Sequence, residues 1–170
     1  KTVEWKSAII FCSTKEMVKK LYQRFQRTGT NVKSFHSDLE QAEREEIMRG
    51  FRNRQVQILI GTDVLSRGID VEGISLVVNW DVPPDPEDYV HRVGRTARAE
   101  TTGIAITLVN ENDQRRFFQI ESLIGTEISK VQLPAGVGYG PVYNPSDRPK
   151  RPFAGNSGRP RSPKHFRRKR

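Results

Sequence analysis

Short apolar segments alternate with longer amphipathic segments over the first 133 residues of the chain. Short runs rich in Val, Ile and Leu are typical of buried strands. The runs predict five strands, at Ala8–Phe11, Val32–Phe35, Val56–Ile60, Leu76–Asn79 and Ile104–Val109. Between the strands, apolar residues recur at helical spacing, as Val18, Leu21, Tyr22 and Phe25 do. This alternation predicts a chain built from strand–helix units.

Each predicted helix has a local start signal in the sequence. The predicted helices are one that follows the capping box Ser13-Thr14-Lys15-Glu16, one at Glu40–Arg52, one capped by Asp85 and one at Asn110–Ile124, capped by Asn110. Strand–helix alternation with nearly continuous apolar strands indicates an α/β fold, a mainly parallel sheet with helices on both faces. In such sheets the functional loops lie beyond the carboxyl ends of the strands.

The pattern ends at Pro134. Seven of the ten Pro and five of the 13 Gly lie from that residue onward, where the apolar periodicity also disappears. Such a segment cannot bury enough apolar surface to offset the entropy lost on ordering. The sequence therefore predicts one folded domain over residues 1–133 and a disordered, Pro/Gly/Arg-rich basic tail over residues 134–170.

Charge supports the same division of the 170 residues. The formal net charge is +9, yet residues 1–133 carry 19 Lys and Arg against 19 Asp and Glu, so the excess lies in the tail. No apolar run reaches the roughly 18–20 residues that cross a bilayer. The lone Cys12 excludes an internal disulfide, and the three scattered His predict no metal site. We expect a cytoplasmic protein that binds no membrane.

Two clusters hold candidate functional residues, and the second of them directly follows a predicted strand. Tyr89–Arg98 holds three arginines, and planar guanidinium groups suit phosphate oxygens. A solvated basic helix face is the simpler interpretation of that cluster taken alone. Gly61–Asp70 offers glycines for close backbone approach and Asp70 as an acceptor for a ribose hydroxyl. A tight loop with helix-capping carboxylates explains the second cluster equally well.

Two further stretches carry weaker signals. Phe11–Thr14 leads from a strand into a helix N-terminus, where free amides attract anions, although simple capping by Ser13 is the plainer explanation. His36–Arg44 places Gln41 and Arg44 on one helix face, which can also be an ordinary amphipathic surface.

Taken together, these stretches resemble the motifs of the second RecA-like domain of the DEAD-box RNA helicases. Phe11–Thr14 resembles motif IV, Thr62–Asp70 resembles motif V, and Tyr89–Arg98 resembles motif VI. His36–Arg44 and Val77–Pro83 resemble the family's intervening segments. The resemblance covers about residues 1–130 in order and spacing, with small residues, Ser37 and Ala97, where the family usually has glycine.

The resemblance implies a RecA-like fold and half of an ATP site. Arg95 and Arg98 would be arginine fingers that reach the γ-phosphate, Asp70 would bind the ATP ribose, and His91 would couple hydrolysis to RNA. The other half, the N-terminal RecA-like domain of the same parent chain, would supply the phosphate-binding loop and hold Mg²⁺. This chain has no Gly-Lys dipeptide from which such a loop could form, so we expect no ATPase activity from it alone.

The resemblance also implies RNA contacts that do not depend on sequence. The residues expected to touch RNA phosphates are Ser13, Thr14, Arg44, Gly61 and Thr62, and those expected to brace the interdomain face are Arg67 and Arg92. The basic tail, with interleaved aromatic residues, could add RNA binding, or serve only for solubility or targeting. A non-catalytic RNA-binding module is the alternative function, against which Arg95, Arg98 and Asp70 argue. We expect a monomer.

Overall fold

The computed structural model of the chain describes residues 5–65, 74–98 and 101–146. The strands described are β1 Ala8–Phe11, β2 Val32–Phe35, β3 Ile58–Gly61, β4 Leu76–Asn79, β5 Ala97–Arg98, β6 Thr101–Thr102 and β7 Ile104–Thr107. The helices described are α1 Lys15–Gln26, α2 Gln41–Arg52, α3 Pro86–Val93 and α4 Gln114–Ile124. None of these helices is long and apolar enough to cross a bilayer.

Five strands form a parallel sheet in the order β2-β3-β1-β4-β7, and β5 pairs with β6 in a separate antiparallel ladder. The register aligns the strand ends, because Phe11 pairs with both Gly61 and Asn79, and Phe35 pairs with Gly61. The loops after these strands therefore leave from one side of the sheet, which we call the carboxyl edge. This architecture confirms the predicted α/β fold.

Helices cover both faces of the sheet. On one face Ile9 and Phe11 of β1 pack with Met48 and Phe51 of α2. On the other face, Ile10 and its neighbours pack with Val18 and Leu21 of α1. Each fully buried side chain of this size contributes about 1.5–3 kcal/mol of hydrophobic stabilisation. The two packed faces hold the strands in register and so fix the loops of the carboxyl edge.

The last helix begins later than the sequence predicts. Asn110 does not cap it; its side chain accepts the amides of Asn112 and Asp113 and forms a turn, and the helix starts at Gln114. The cap predicted for α3 is confirmed, since the Asp85 carboxylate accepts the Glu87 amide at 2.9 Å. Asn and Asp side chains stabilise turns and caps by similar bonds, so the sequence signal does not separate the two.

The chain turns back along α4 after Gly125, which adopts a left-handed φ of 66°. We call residues 126–146 the strap. The backbone of Val142 and Asn144 bonds to the side chain of Gln114, and Tyr143 packs in a cluster with Phe117. These contacts differ from the prediction of a disordered tail from Pro134 onward, because one aromatic residue finds an apolar site on α4. Residues 147–170 lie outside the described residues.

Candidate functional site

Several of the residues expected to bind a ligand meet at the carboxyl edge. Ser13 and Thr14 follow β1, and Thr62 follows β3, its neighbour in the sheet. Asp81 follows β4, on the other side of β1. Neighbouring strands lie about 4.8 Å apart, so the three loops form one continuous surface.

Asp81 fixes the loop after β1. Its two carboxylate oxygens each accept the Ser13 amide at 3.0 Å, and one accepts the Ser13 hydroxyl at 2.5 Å. Hydrogen bonds to an ionised group are roughly twice as strong as neutral ones. Ser13 is therefore held by Asp81 and does not cap α1, as a capping box would require. The cap is Thr14, whose hydroxyl oxygen accepts the Met17 amide at 3.2 Å.

Gly61 permits close packing at the end of β3. A Cβ at this position would lie 2.8 Å from the Phe35 carbonyl oxygen and 3.0 Å from the Leu65 side chain. Gly61 is buried, whereas Thr62 is half-buried. Of these two expected RNA contacts, Gly61 shapes the loop and Thr62 reaches its surface.

Arg44 and His36 bring unpaired polar atoms to the end of β2. The Arg44 guanidinium donates to the Ser37 carbonyl at 3.0 Å. Its buried Nε, like Nδ1 of His36, finds no hydrogen-bond partner among the described residues. Burial, followed by the charge of Lys19, lowers the pKa of His36. A buried donor without an acceptor is costly, so the Nε of Arg44 is a polar atom that the described part of the fold leaves unsatisfied.

Arg92 is the most deeply buried charge described. Its side chain has no exposed surface, and its Nε and Nη2 donate to the two carboxylate oxygens of Asp63 at 2.6 and 3.0 Å. Nη1 lies 3.4 Å from the Asp81 carbonyl oxygen, and the guanidinium stands 5.4 Å from the centre of the Phe11 ring. A buried ion pair needs such complete satisfaction of its donors to be tolerated. Arg92 thus fastens α3 to the loops after β3 and β4.

The position of Arg92 corrects its expected role. A side chain with no exposed surface cannot brace the face of a second domain, so Arg92 is an internal brace of this one. Asp63 and Asp81, which hold the edge together, are not among the site residues that the sequence predicts. The one available signal was that Arg92 lies three residues after Tyr89, on the face of α3 that is buried, where an arginine needs an acidic partner.

The exposed part of α3 and the turn after it carry two of the expected catalytic residues. His91 is exposed, and Arg95, just past the helix, is half-buried. The Nε of Arg95 donates to the His91 carbonyl oxygen at 3.4 Å. Gly94 lies between them, where a Cβ would stand 3.0 Å from the Val90 carbonyl oxygen. The tight turn brings His91 and Arg95 together beside the pair of Arg92 and Asp63.

The side chains of three expected site residues are not among those that the structure describes. Arg67 and Asp70 lie outside the described residues. Arg98 is described only by its backbone, which pairs with Thr101. Among the residues that are described, no group of three or more His, Cys, Asp or Glu side chains could hold a metal ion.

Cys12 is not suited to nucleophilic chemistry. It is completely buried at the end of β1. Burial, together with the nearby Asp81 carboxylate, raises the pKa of the Cys12 thiol to about 12. Because the thiolate is the reactive form, Cys12 serves as a core residue.

Comparison with known proteins identifies the class of domain. The sequence profile described as the helicase conserved C-terminal domain matches residues 1–100. The chain belongs to this family. It is the C-terminal domain of a DEAD-box helicase, because its relatives and structural neighbours are DEAD-box proteins.

Three similar proteins illustrate this assignment. The ATP-dependent RNA helicase eIF4A of Scheffersomyces stipitis is 43% identical over 131 residues, which are 77% of this chain and 32% of that protein. The solved C-terminal domain of the DEAD-box protein Dbp5 is 37% identical, with a TM-score of 0.67 and 72% of each chain covered. The S. cerevisiae Dbp5 structure bound to RNA and ADP BeF3 is 40% identical, with a TM-score of 0.62, covering 69% of this chain and 31% of that one. The chain spans about a third of the length of the curated relatives it matches.

Proposed function

We propose that this domain is the second half of an ATP-dependent RNA helicase and acts on ATP and RNA together with a first RecA-like domain. The observation that carries the proposal is the buried pair of Arg92 and Asp63. This pair fastens the helix that bears His91, with Arg95 just past its end, to the edge that bears the RNA-facing loops. The ATP-dependent RNA helicases among the relatives support the same activity.

On the nucleotide side, Arg95 and Arg98 act as arginine fingers on the γ-phosphate of ATP. A correctly placed finger contributes about 10³–10⁵ in rate to phosphoryl transfer, because it stabilises the charge that develops in the transition state. The bond from Arg95 to the His91 carbonyl restricts its side chain before ATP arrives. Asp70 accepts a hydroxyl of the ATP ribose. His91, adjacent to Arg92 in the chain, links the nucleotide to the RNA-facing loops.

On the RNA side, Thr14, Thr62 and Arg44 contact the phosphates of a single strand. The support for Arg44 is its place at the end of β2, where its half-buried guanidinium donates to the Ser37 carbonyl. Ser13 and Gly61, also expected to touch RNA, position the loops that carry Thr14 and Thr62. Contacts to phosphate and sugar carry no sequence information, so the enzyme acts on RNA without sequence preference.

The active unit requires the N-terminal RecA-like domain of the parent chain. That domain supplies the phosphate-binding loop and holds Mg²⁺. We propose that the parent protein is a monomer and works in the cytoplasm. Arg67, which lies outside the described residues, is proposed to brace the first domain.

RNA-stimulated ATP hydrolysis by the parent protein tests the proposal. Arg95→Ala and Arg98→Ala should each lower kcat by at least about 10³-fold while the melting temperature stays unchanged. Arg24→Ala is the matched control, because Arg24 is exposed on α1 and lies away from the carboxyl edge. Normal ATP turnover in both variants would refute the assignment of Arg95 and Arg98 as arginine fingers. RNA binding without any ATP turnover in the unaltered parent would favour the alternative of a non-catalytic RNA-binding module.

A further inference from the structure

A groove with a volume of about 760 Å³ runs along α2. One of its walls is a face of α2, and the other lies where β2 and β3 end. The helix contributes residues at spacings of three and four, from Gln41 and Arg44 near its start to Arg49 and Arg52 in its last turn. Residues at this spacing share one face of a helix, so the groove follows α2 along its length.

One end of the groove lies at the carboxyl edge. Because β2 and β3 are parallel, α2 leads from the end of β2 at this edge to the start of β3 at the opposite edge. Arg44, which we propose touches RNA, is therefore nearer the carboxyl edge, and Arg52 is farther from it. A helical rise of about 1.5 Å per residue separates the two positions by about 12 Å. A strand bound at Arg44 can thus continue along the groove.

The lining of the groove carries an excess of positive charge. Three arginines, Arg44, Arg49 and Arg52, face one carboxylate, that of Glu45. This carboxylate accepts a hydrogen bond from the Gln41 side-chain amide at 2.9 Å. Arg49 and Arg52 are exposed, and within the described ranges no hydrogen bond or ion pair engages the side chain of either. Both guanidinium groups can therefore donate to an anion without breaking a contact made there.

The rest of the groove offers apolar surface. Val64, in the wall opposite α2, is 41% exposed, and the nearly buried Phe35 and Met48 form the floor. A nucleotide joins a charged phosphate to a base with an apolar face, and single-stranded RNA is bound through both. Arginines on one side of the groove and valine on the other therefore suit a nucleotide chain.

The helix dipole gives a simpler reason for the charge of Arg49 and Arg52. Both lie in the last turn of α2, where positive charge stabilises a helix. That effect does not explain why the two arginines line one groove together with Val64. It predicts a loss of stability on substitution, whereas RNA binding predicts a loss of affinity that depends on the length of the strand. The two roles can therefore be separated by measurement.

We infer that the groove along α2 binds the continuation of the RNA strand held at the carboxyl edge, with Arg49 and Arg52 on its phosphates and Val64 against a base. The inference rests on the proposed function. These three residues are not among those that the sequence predicts to touch RNA. Contacts to phosphates carry no sequence information, so the groove adds affinity and leaves the lack of sequence preference unchanged.

The release of counter-ions sets the size of the expected effect. For a single strand, affinity falls with about the 0.7 power of salt concentration for each phosphate contact. Relative to about 1 M salt, one contact therefore contributes about five-fold at about 0.1 M, and two contribute about 25-fold. Loss of both contacts should also reduce the slope of log Kd against log salt by about 1.4.

The test measures binding of fluorescent oligouridylates of increasing length to the full 170-residue chain. The variant combines Arg49→Gln with Arg52→Gln, because Gln has nearly the helix propensity of Arg. For long strands Kd should rise about 25-fold at about 0.1 M salt. The effect should shrink as the strand becomes too short to reach from the carboxyl edge into the groove. Arg49→Lys with Arg52→Lys, which keeps both charges, should restore most of the affinity.

A second variant tests the base contact. Val64→Ser should weaken binding of the oligouridylate and leave unchanged the binding of a strand of equal length that lacks bases. An equal loss for both strands would overturn the assignment of Val64 to a base.

The matched control combines Lys20→Gln with Arg24→Gln. These two cations are exposed on α1, which packs on the other face of the sheet. The control should bind strands of every length with unchanged Kd, and melting temperatures establish that each variant is folded. A loss as large in the control, or a loss independent of strand length, would overturn the inference, because net charge alone would then explain it.

The remaining outcomes separate the inference from the proposed function. No loss in the Arg49 and Arg52 variant, while Arg44→Gln still weakens binding, would overturn the inference and leave the proposed function intact. Polyglutamate that competes for the groove as well as unlabelled RNA would also overturn the inference, and it would favour an acidic protein partner. Failure of the unaltered chain to bind RNA at all would overturn both.

Discussion

The buried pair of Arg92 and Asp63 allows a quantitative test of how the carboxyl edge is held together. Asp63→Ala removes the carboxylate that accepts two hydrogen bonds from the guanidinium. Arg92 cannot turn to solvent, because its side chain has no exposed surface. The variant therefore leaves a buried positive charge without its counter-ion.

The expected cost follows from this geometry. Removal of one partner from a buried ion pair typically destabilises a protein by about 3–5 kcal/mol. The Asp63 side chain is 23% exposed, so water can enter the space it leaves, and Asn79 still offers an acceptor 3.5 Å from the guanidinium. We therefore expect a loss near the lower limit, about 3 kcal/mol. For a domain of this size that corresponds to a fall in Tm of about 10 °C.

Chemical and thermal unfolding of the single and double variants measure this cost. Arg92→Met combined with Asp63→Ala should be more stable than Asp63→Ala alone, because the double variant buries no uncompensated charge. Asp38→Ala, which breaks an exposed pair with Lys15 and Lys19, is the control and should leave Tm nearly unchanged. A loss below about 1 kcal/mol for Asp63→Ala, or a double variant no more stable than it, would refute the reasoning.

Three further predictions follow from individual residues. Cys12, with a thiol pKa of about 12, should resist iodoacetamide at neutral pH until the chain unfolds in denaturant; rapid labelling of the folded chain would contradict its burial. Gly103→Ala should cost roughly 1–3 kcal/mol in chemical unfolding, because the new Cβ would lie 2.5 Å from Cβ of Thr96; an unchanged midpoint would show that the contact relaxes freely. His36 has a lowered pKa, so the unfolded state takes up a proton that the folded state does not, and the free energy of unfolding should fall as pH drops below about 6.5. In the His36→Asn variant the free energy of unfolding should depend less on pH in this range. An unaltered slope would show that His36 does not cause the fall.

The sheet could be predicted from the sequence because its signals are local. The strands Ala8–Phe11, Val32–Phe35 and Leu76–Asn79 have the predicted bounds, since each is a short apolar run between polar segments. Asp85 followed by Pro86 is a complete start signal for a helix, and α3 begins there. Parallel pairing of the strands follows from the helices between them.

The internal bonds of the site could not be predicted, because their partners are distant in the chain. Ser13 has the side chain of a helix cap, but Asp81, 68 positions later, competes for its hydroxyl and amide. Nothing local in the sequence separates Arg92 from the exposed arginines near it. Its burial depends on Asp63, which is 29 positions earlier in the chain. Tyr143 lies in a Pro- and Gly-rich segment, and only the surface of α4 gives it a place to pack.

ATP turnover by the two halves of the enzyme, separate and joined, tests the central claim most directly. This chain alone should hydrolyse no ATP, whereas the same chain joined to the first RecA-like domain of its parent should hydrolyse ATP when single-stranded RNA is added. Arg95→Ala in the joined protein should abolish that stimulation. Hydrolysis by a clean preparation of the isolated chain, or full stimulation in the Arg95 variant, would contradict the account.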